Sequence, residues 1–429
     1  MKAYPEYKES NVEWLGNVPE GWNVKRVKWL CSVKRGQSPR PIDDASYFDD
    51  NGEYAWVRIS DVTASEKYLY QTEQKLSELG SSKSVKLEPN ELFVSIAATV
   101  GKPIINKIKC CIHDGFVWLE GLEESKEFMY FVFSGGELYK GLGKLGTQLN
   151  LNSEYIANIY VPVPPRDEQK IIVKYLENKT AQIDTLIEKK QRQIDLLQEQ
   201  RTALINHAVT KGLNPNVKMK DSGVEWLGEI PSHWEVVKIK NMAKIMRGQF
   251  SHRPRNDPAY YDGAYPFVQT GDVTSADKYI TTYQQTLNEL GYSVSKEFPK
   301  DTIVMTIAAN IGDVAILDFK SCFPDSMVGI VPFDNMSANY MYYNMKALKQ
   351  EFIKISSINT QLNINVDKIE NQISVKPPIR EQEEIANHLD DMLKKTKLIS
   401  EQITSQINLL QEYRTALISE AVTGKVDVR

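Results

Sequence analysis

The stretch VEWLGNVPEGWNVKRVKWL, residues 12–30, returns as VEWLGEIPSHWEVVKIKNM at residues 224–242. Working outward from this pair, the same ordered echo runs through the chain. RGQ at Arg35 returns at Arg247, SDVTASEKY from Ser60 as GDVTSADKY from Gly271, and LSELG from Leu76 as LNELG from Leu287. SIAATVG from Ser95 matches TIAANIG from Thr306, and GTQLNLN from Gly146 matches NTQLNIN from Asn359. QEQRTALI from Gln198 matches QEYRTALI from Gln411. The offset stays between 211 and 213 residues. Chance does not order so many matches, so the chain is an internal duplication with few insertions.

Each copy has two parts. Residues 1–162 and 213–375 mix short apolar alternations, such as Leu92 to Ile96, with Gly, Pro and Asp/Asn breaks. That pattern predicts a β-rich α+β domain with small helices. Each copy then reaches a proline pair, in YVPVPPRDEQ from Tyr160 and SVKPPIREQEE from Ser374, which stops a strand and favours an extended lead into the next element. The next element, over 163–212 and 376–429, reads as a long helix. From Glu168 to Thr210 there is neither Pro nor Gly, and Ile183, Ile187, Lys190, Ile194, Leu197, Arg201, Leu204 and Ala208 recur at alternating spacings of four and three. Ile403, Ile407, Leu410, Arg414, Leu417 and Ala421 are their equivalents. This heptad seam predicts two antiparallel helices paired as a coiled-coil spacer, about 60 Å long for roughly 40 residues. Arg201 and Arg414 interrupt both seams at one place and would help set register. The alternative is that each stripe packs on its own domain.

Composition sets the bounds. A chain of 429 residues, 41% hydrophobic and 25% charged, suits two to four domains of an ordinary soluble protein. Apolar runs such as Ile303 to Ala309 are too short to span a bilayer, and the first residues lack a signal-peptide pattern, so no membrane association and a cytoplasmic location are expected. Cys31, Cys110, Cys111 and Cys322 have no metal-ligand spacing and read as reduced structural thiols. A net charge of −4 is not the usual signature of a DNA-binding protein. Basic residues nevertheless gather at Lys25, Arg26, Lys28, Lys34, Arg35 and Arg40, and again at Lys244, Arg247, His252, Arg253 and Arg255. DNA senses such local fields rather than the average.

Two similar domains on a helical spacer make a pseudo-twofold object suited to a target with two half-sites. The order of domain, PPRDEQ helix ending QRTALINHAVTKG, second domain, and PPIREQEE helix ending YRTALISEAVTGK resembles the specificity subunit of Type I restriction–modification systems. The VEWLG…P..W opening and the TQLN exit of each domain fit the same family, and the likeness covers essentially the whole chain. It implies two target recognition domains, each reading half of a bipartite duplex DNA site, with helix length as the ruler for the spacer between them. It implies partners too: two methyltransferase (modification) subunits carrying S-adenosylmethionine to methylate adenine N6, and restriction/translocase subunits using ATP and Mg. This chain itself would bind no cofactor and no metal, and would be non-catalytic.

Base edges call for forked donors or amides, and phosphates for cations. Three regions per domain supply them: Arg35, Gln37, Ser38 and Arg40 against Arg247, Gln249, Arg253 and Arg255; Arg58 against Gln269; and Lys144, Thr147, Gln148 and Asn150 against Thr360, Gln361 and Asn363. The TQLN residues, kept in both copies, also fit turn-capping or phosphate-positioning roles. Arg58 and Gln269 differ between copies, as a specificity position should. Other fragments mislead. GLGKLG at 141–146 fits GxGxxG but does not open a helix, and its counterpart has no glycine. Asp257-Pro258-Ala259-Tyr260 lacks the second proline of an adenine-methyltransferase motif. Pro324-Asp325 lacks the acidic-x-Lys of a nuclease. The rival readings are a single-chain methyltransferase or nuclease with unrecognised motifs, and a coiled-coil adaptor that binds no DNA.

Overall fold

The computed structural model describes residues 2–139, 151–308, 310–358 and 362–429. The chain divides into two compact units, residues 1–191 with 404–429, and residues 192–403.

In the first unit, Leu92–Ser95 is buried on both faces, as its unbroken LFVS run requires of a central strand. It lies between Phe116–Glu120 and Pro103–Asn106 in a five-stranded sheet edged by Ser32–Arg35 and by Tyr68–Leu69. A four-stranded sheet runs in the order Gln74–Leu76, Tyr54–Val57, Cys110–Ile112, Val85–Leu87. The second unit repeats this strand for strand. Its five-stranded sheet is Ala243–Arg247, Met327–Pro332, Ile303–Thr306, Val314–Leu317, Tyr279–Ile280, and its four-stranded sheet Gln285–Leu287, Tyr261–Phe267, Ser321–Cys322, Glu297–Phe298. The fold class is the expected one of two β-rich α+β domains with long helices. The four cysteines are free thiols, and burial pushes the Cys31 and Cys322 thiols up to about 12, which fits inert packing groups.

The helices run Arg166–Lys211 and Ile379–Val422, 46 and 44 residues, each starting directly after or within a residue of its proline pair. Both are a little longer than the roughly 40 residues read from the sequence. Each unit takes the first part of one helix and the last part of the other. In the first unit the Arg414 guanidinium donates from Nε and Nη2 to both oxygens of Asp184, at 2.8 and 3.2 Å, and Lys190 Nζ donates to Gln406 Oε1 at 2.6 Å. Residue numbers rise on one helix as they fall on the other, so the segments are antiparallel. Ile183, Leu417 and Ala421 are buried in the first domain's core, with Ile187 and Leu410 packed against it, and Ile407 is buried as well. In the second unit Ile205, Ala208 and Val209 share one core with Ile385, Leu389 and Leu393. Ile194, Leu197, Arg201, Leu204 and Ile403 are half-buried. Pairing between helices and packing on the domains therefore coexist on one stripe.

The repeated motifs explain why the helices dock alike. Gln169 and Gln382, the last residues of PPRDEQ and PPIREQ, are fully buried. Gln169 Nε2 donates to Pro164 O (2.9 Å) and its Oε1 accepts from Ser125 N (3.1 Å). Gln382 does the same with Pro377 O (2.8 Å) and Ser337 N (2.9 Å). Each glutamine thus ties a long helix to the start of a short one, Lys126–Ser134 or Ala338–Ala347. The lysine of SEKY and ADKY performs a second docking. Lys67 reaches Glu177 at 2.6 Å over the Phe131 ring, and Lys278 reaches both oxygens of Asp390 at 2.7 Å over the Tyr343 ring. The opening motif receives a helix end. Gly212, at φ +75°, lies against Trp234, and Gly424, at φ +73°, against Pro19 and Trp22. Tyr7 OH donates to Gly424 O at 3.1 Å and Asp427 N to Lys2 O at 2.8 Å, so the two chain ends meet within the first unit.

Gln382→Ala should leave two buried backbone groups unpaired and destabilise the second unit by about 1–3 kcal/mol. The urea midpoint of that unit is the readout, and an unchanged midpoint would show that the glutamine brace is dispensable.

Candidate nucleic-acid interface

The first two loop regions converge in each unit, because RGQ closes on the strand end opposite it. A Cβ on Gly36 would lie 2.2 Å from His113 O, and one on Gly248 would lie 2.3 Å from Pro324 O, so only glycine permits the approach. The amides of Gln37 and Gln249 then donate to Ile112 O and Phe323 O, both at 3.0 Å. Arg35 Nε donates to Asp114 O and Arg247 Nε to Asp325 O, each at 2.7 Å. That use of one nitrogen leaves both guanidinium groups exposed.

A single carboxylate organises each loop. In the first unit Asp114 accepts from Ser38 Oγ (3.1 Å) and from Arg40 Nη2 (3.3 Å). In the second, Asp325 binds Arg253 Nη2 at 3.3 Å and also Arg255 Nη2. Where the first loop has Pro39 the second has Ser251, and Phe250 just before it is buried beside Tyr260, Tyr261 and Phe267. Gln249 Nε2 donates to Ser251 Oγ at 3.1 Å. Asp257 caps the turn Pro258–Tyr260 and holds His252 at 3.2 Å, which gives the DPAY fragment a structural role.

Arg58 and Gln269 hold the same backbone position. Each precedes a six-residue helix, Ile59–Ala64 or Thr270–Ser275, and each amide donates to a carboxylate three residues on, Asp61 or Asp272, at 2.8 Å. The backbone is fixed while the side chain varies. Arg58 is exposed and makes no ion pair among the described residues. Gln269 Nε2 donates to Gln285 Oε1 at 2.9 Å. Arg40, Arg58, Ser38, Trp56, His113 and Asp114 line one cleft of about 460 Å³ in the first unit. Burial holds the His113 imidazole below its ordinary range; Asp114 opposes this and the Arg58 charge reinforces it.

Sequence reading missed Asp114 and Asp325. Their shared offset of 211 residues, amid differing neighbours, was the available signal. Lys144, Thr147, Gln148, Asn150, Thr360 and Gln361, and the 141–146 glycines, lie outside the described residues, and Asn363 is described only as part of the strand Leu362–Asn363. Of the basic cluster near the N-terminus, Arg26 and Lys28 turn to Asn158 at 3.4 and 2.8 Å, and Lys34 pairs with Glu120 at 2.5 Å. These three brace the scaffold and stand apart from the cleft.

With this geometry in place, the chain belongs to the family of type I restriction modification DNA specificity domains, whose model matches residues 19–196 and 231–409. Among curated relatives, it is 24% identical to the putative type I restriction enzyme MjaX specificity subunit of Methanocaldococcus jannaschii over 99% of this chain and 98% of that protein. The MjaIX specificity subunit of the same organism is 27% identical over 99% and 97%. The EcoKI specificity subunit of Escherichia coli K12 is 20% identical over 96% and 90%. Among solved structures, a chain from a study of type I R-M system assembly and conformational transition superposes with a TM-score of 0.74, at 15% identity, over 95% of this chain and 99% of that one. The HsdS subunit from Thermoanaerobacter tengcongensis gives 0.55 at 16% identity, over 97% and 100%. Among the described residues no helix is long and apolar enough to cross a membrane.

Asp325→Ala is expected to loosen residues 249–257. Two half-exposed ion pairs contribute about 1 kcal/mol together, so amide hydrogen exchange in that segment should rise several-fold. Unaltered exchange there would mean that Asp325 does not hold the loop.

Proposed function

We propose that this chain is the sequence-reading, non-catalytic subunit of a cytoplasmic Type I restriction–modification complex, and that its two domains, residues 1–162 and 213–375, each read one half of a bipartite DNA site. The helices at 163–212 and 376–429 would separate the readers and dock two methyltransferase subunits. Restriction subunits would complete the assembly, and S-adenosylmethionine, ATP and Mg would belong to the partners. The observation that carries the reading is the strand-for-strand repetition of one scaffold bearing two different sets of loops. The frame residues Gln169/Gln382 and Lys67/Lys278 repeat, while Arg58/Gln269 and the loops after RGQ differ.

Roles at each set of loops follow from what repeats. Arg35 and Arg247, alike in both copies with exposed guanidinium groups, suit phosphate positioning. Arg58 suits guanine and Gln269 suits adenine, on a backbone position fixed identically in both units. Gln37, Ser38, Arg40, Gln249, Arg253 and Arg255 would shape or contact the same groove.

Mapping N6-methyladenine in cells carrying the complete system tests the division of labour. Exchanging residues 23–160 for the corresponding domain of another family member should change one half of the methylated sequence and leave the other intact. A change in both halves would overturn the assignment. With the same map, Arg58→Ala should relax one base position of the first half-site, by about 1–3 kcal/mol of discrimination. Unrelaxed specificity would remove Arg58 from the readout.

A further inference from the structure

The two units match closely, which makes one mismatch informative. In the first unit Arg414 closes on Asp184 with two hydrogen bonds. The counterpart of Arg414 in the second unit is Arg201, and the offset of 213 that relates them places Lys397 where Asp184 stands. A cation has replaced the carboxylate. Arg201 makes no ion pair among the described residues, and its Nε is buried without a hydrogen-bond partner.

The surroundings deepen the excess of positive charge. Arg201, Lys278, Lys394 and Lys397 line a cleft of about 560 Å³, with Asp277, Asp390 and the exposed Glu401. Both aspartates are committed. Asp390 takes Lys278 with both oxygens at 2.7 Å and accepts from Tyr343 OH, and Asp277 binds Lys397 at 2.7 Å. Lys346, which donates to the cleft residue Tyr342 at 3.0 Å, stands where the first unit has Ser134. Burial, with Arg201 nearby, pulls the Lys346 ammonium down to about 8. A half-buried guanidinium fork whose Nε lacks a partner, beside the Lys346 and Lys394 ammonium groups, is the donor set of a phosphate site. A singly charged carboxylate would leave part of that charge unmet.

We propose that this cleft of the second unit binds a phosphate oxyanion, with Arg201 as the forked donor and Lys346 and Lys394 as flanking cations, and that the first unit has no such site because Asp184 occupies the corresponding place. The proposal does not depend on which DNA sequence the protein reads.

Titration of the full-length chain with inorganic phosphate at constant ionic strength, followed calorimetrically, tests it. One saturable phosphate per chain is expected. Arg201→Gln should weaken binding at least about tenfold, the value of one charge-assisted hydrogen bond. Lys397→Asp, which places a carboxylate where the first unit has Asp184, should also abolish binding while leaving the thermal midpoint in phosphate-free buffer within a few degrees of that of the parent, since the Lys397–Asp277 pair it removes is an exposed one. That midpoint keeps a misfolded variant from passing as support. Arg414→Gln should leave phosphate binding unchanged. Absence of saturable binding, or equal binding by the Arg201 variant, would overturn the proposal. If the parent binds no phosphate and Arg201→Gln instead weakens assembly with the methyltransferase subunit, an acidic protein side chain is the occupant and the proposal fails. Given binding, displacement by a duplex of unrelated sequence identifies a DNA backbone phosphate as the source, and no displacement identifies the free anion.

Discussion

Neither compact unit closes its core with its own domain and the helix that follows it. The first needs Leu417, Ile418, Ala421 and Val422 from the far end of the second long helix, and the second needs Ile205, Ala208 and Val209 from the far end of the first. Burying these side chains is the largest favourable contribution available to each helix end, since an aliphatic side chain fully removed from water yields about 1.5–3 kcal/mol. Much of the remaining architecture serves this exchange. The opening motif presents Trp22 or Trp234 to a helix terminus, glycine ends the helix where a side chain would crowd that tryptophan, and the chain ends meet beside one such contact.

Polar groups then fix the angle at which apolar surfaces meet. Apolar packing is non-directional, whereas a buried glutamine with one donor and one acceptor engaged admits few geometries. Gln169 and Gln382 set each helix at its start, and Lys67 and Lys278 set it again about two turns further on, at Glu177 and Asp390. The candidate reading loops sit on this frame, each anchored by a single aspartate. Such loops can change side chains without disturbing the core, and reading positions belong in places of that kind.

Where the units diverge, the reason is traceable to charge. Arg414 is neutralised within the protein and Arg201 is not. A sequence stripe treats the two arginines as equals, because each interrupts the same heptad position. Only the residue facing it across the helix pair, aspartate in one unit and lysine in the other, distinguishes them. The charge clusters near the N-terminus behave likewise. Arg26 and Lys28 are adjacent in sequence to Lys34, Arg35 and Arg40, yet they serve Asn158, while Arg35 and Arg40 meet at Asp114.

The duplication, the fold class, the two long helices and the seam residues they turn inward are legible in the chain alone, because periodicity and repeated motifs are local properties. The chain also brings forward RGQ and the Arg58/Gln269 pair as residues worth attention. Long-range packing, by contrast, divides each helix between two cores, requires the glycine of RGQ beside a strand end some 77 residues away, and makes Asp114 and Asp325 the anchors of the loops. Those contacts join residues remote in sequence, and no spacing rule encodes them. In the chain Asp325 resembles an incomplete nuclease fragment, whereas in space its carboxylate lies between two arginines. Position in space, set by packing of the whole unit, gave that side chain its meaning.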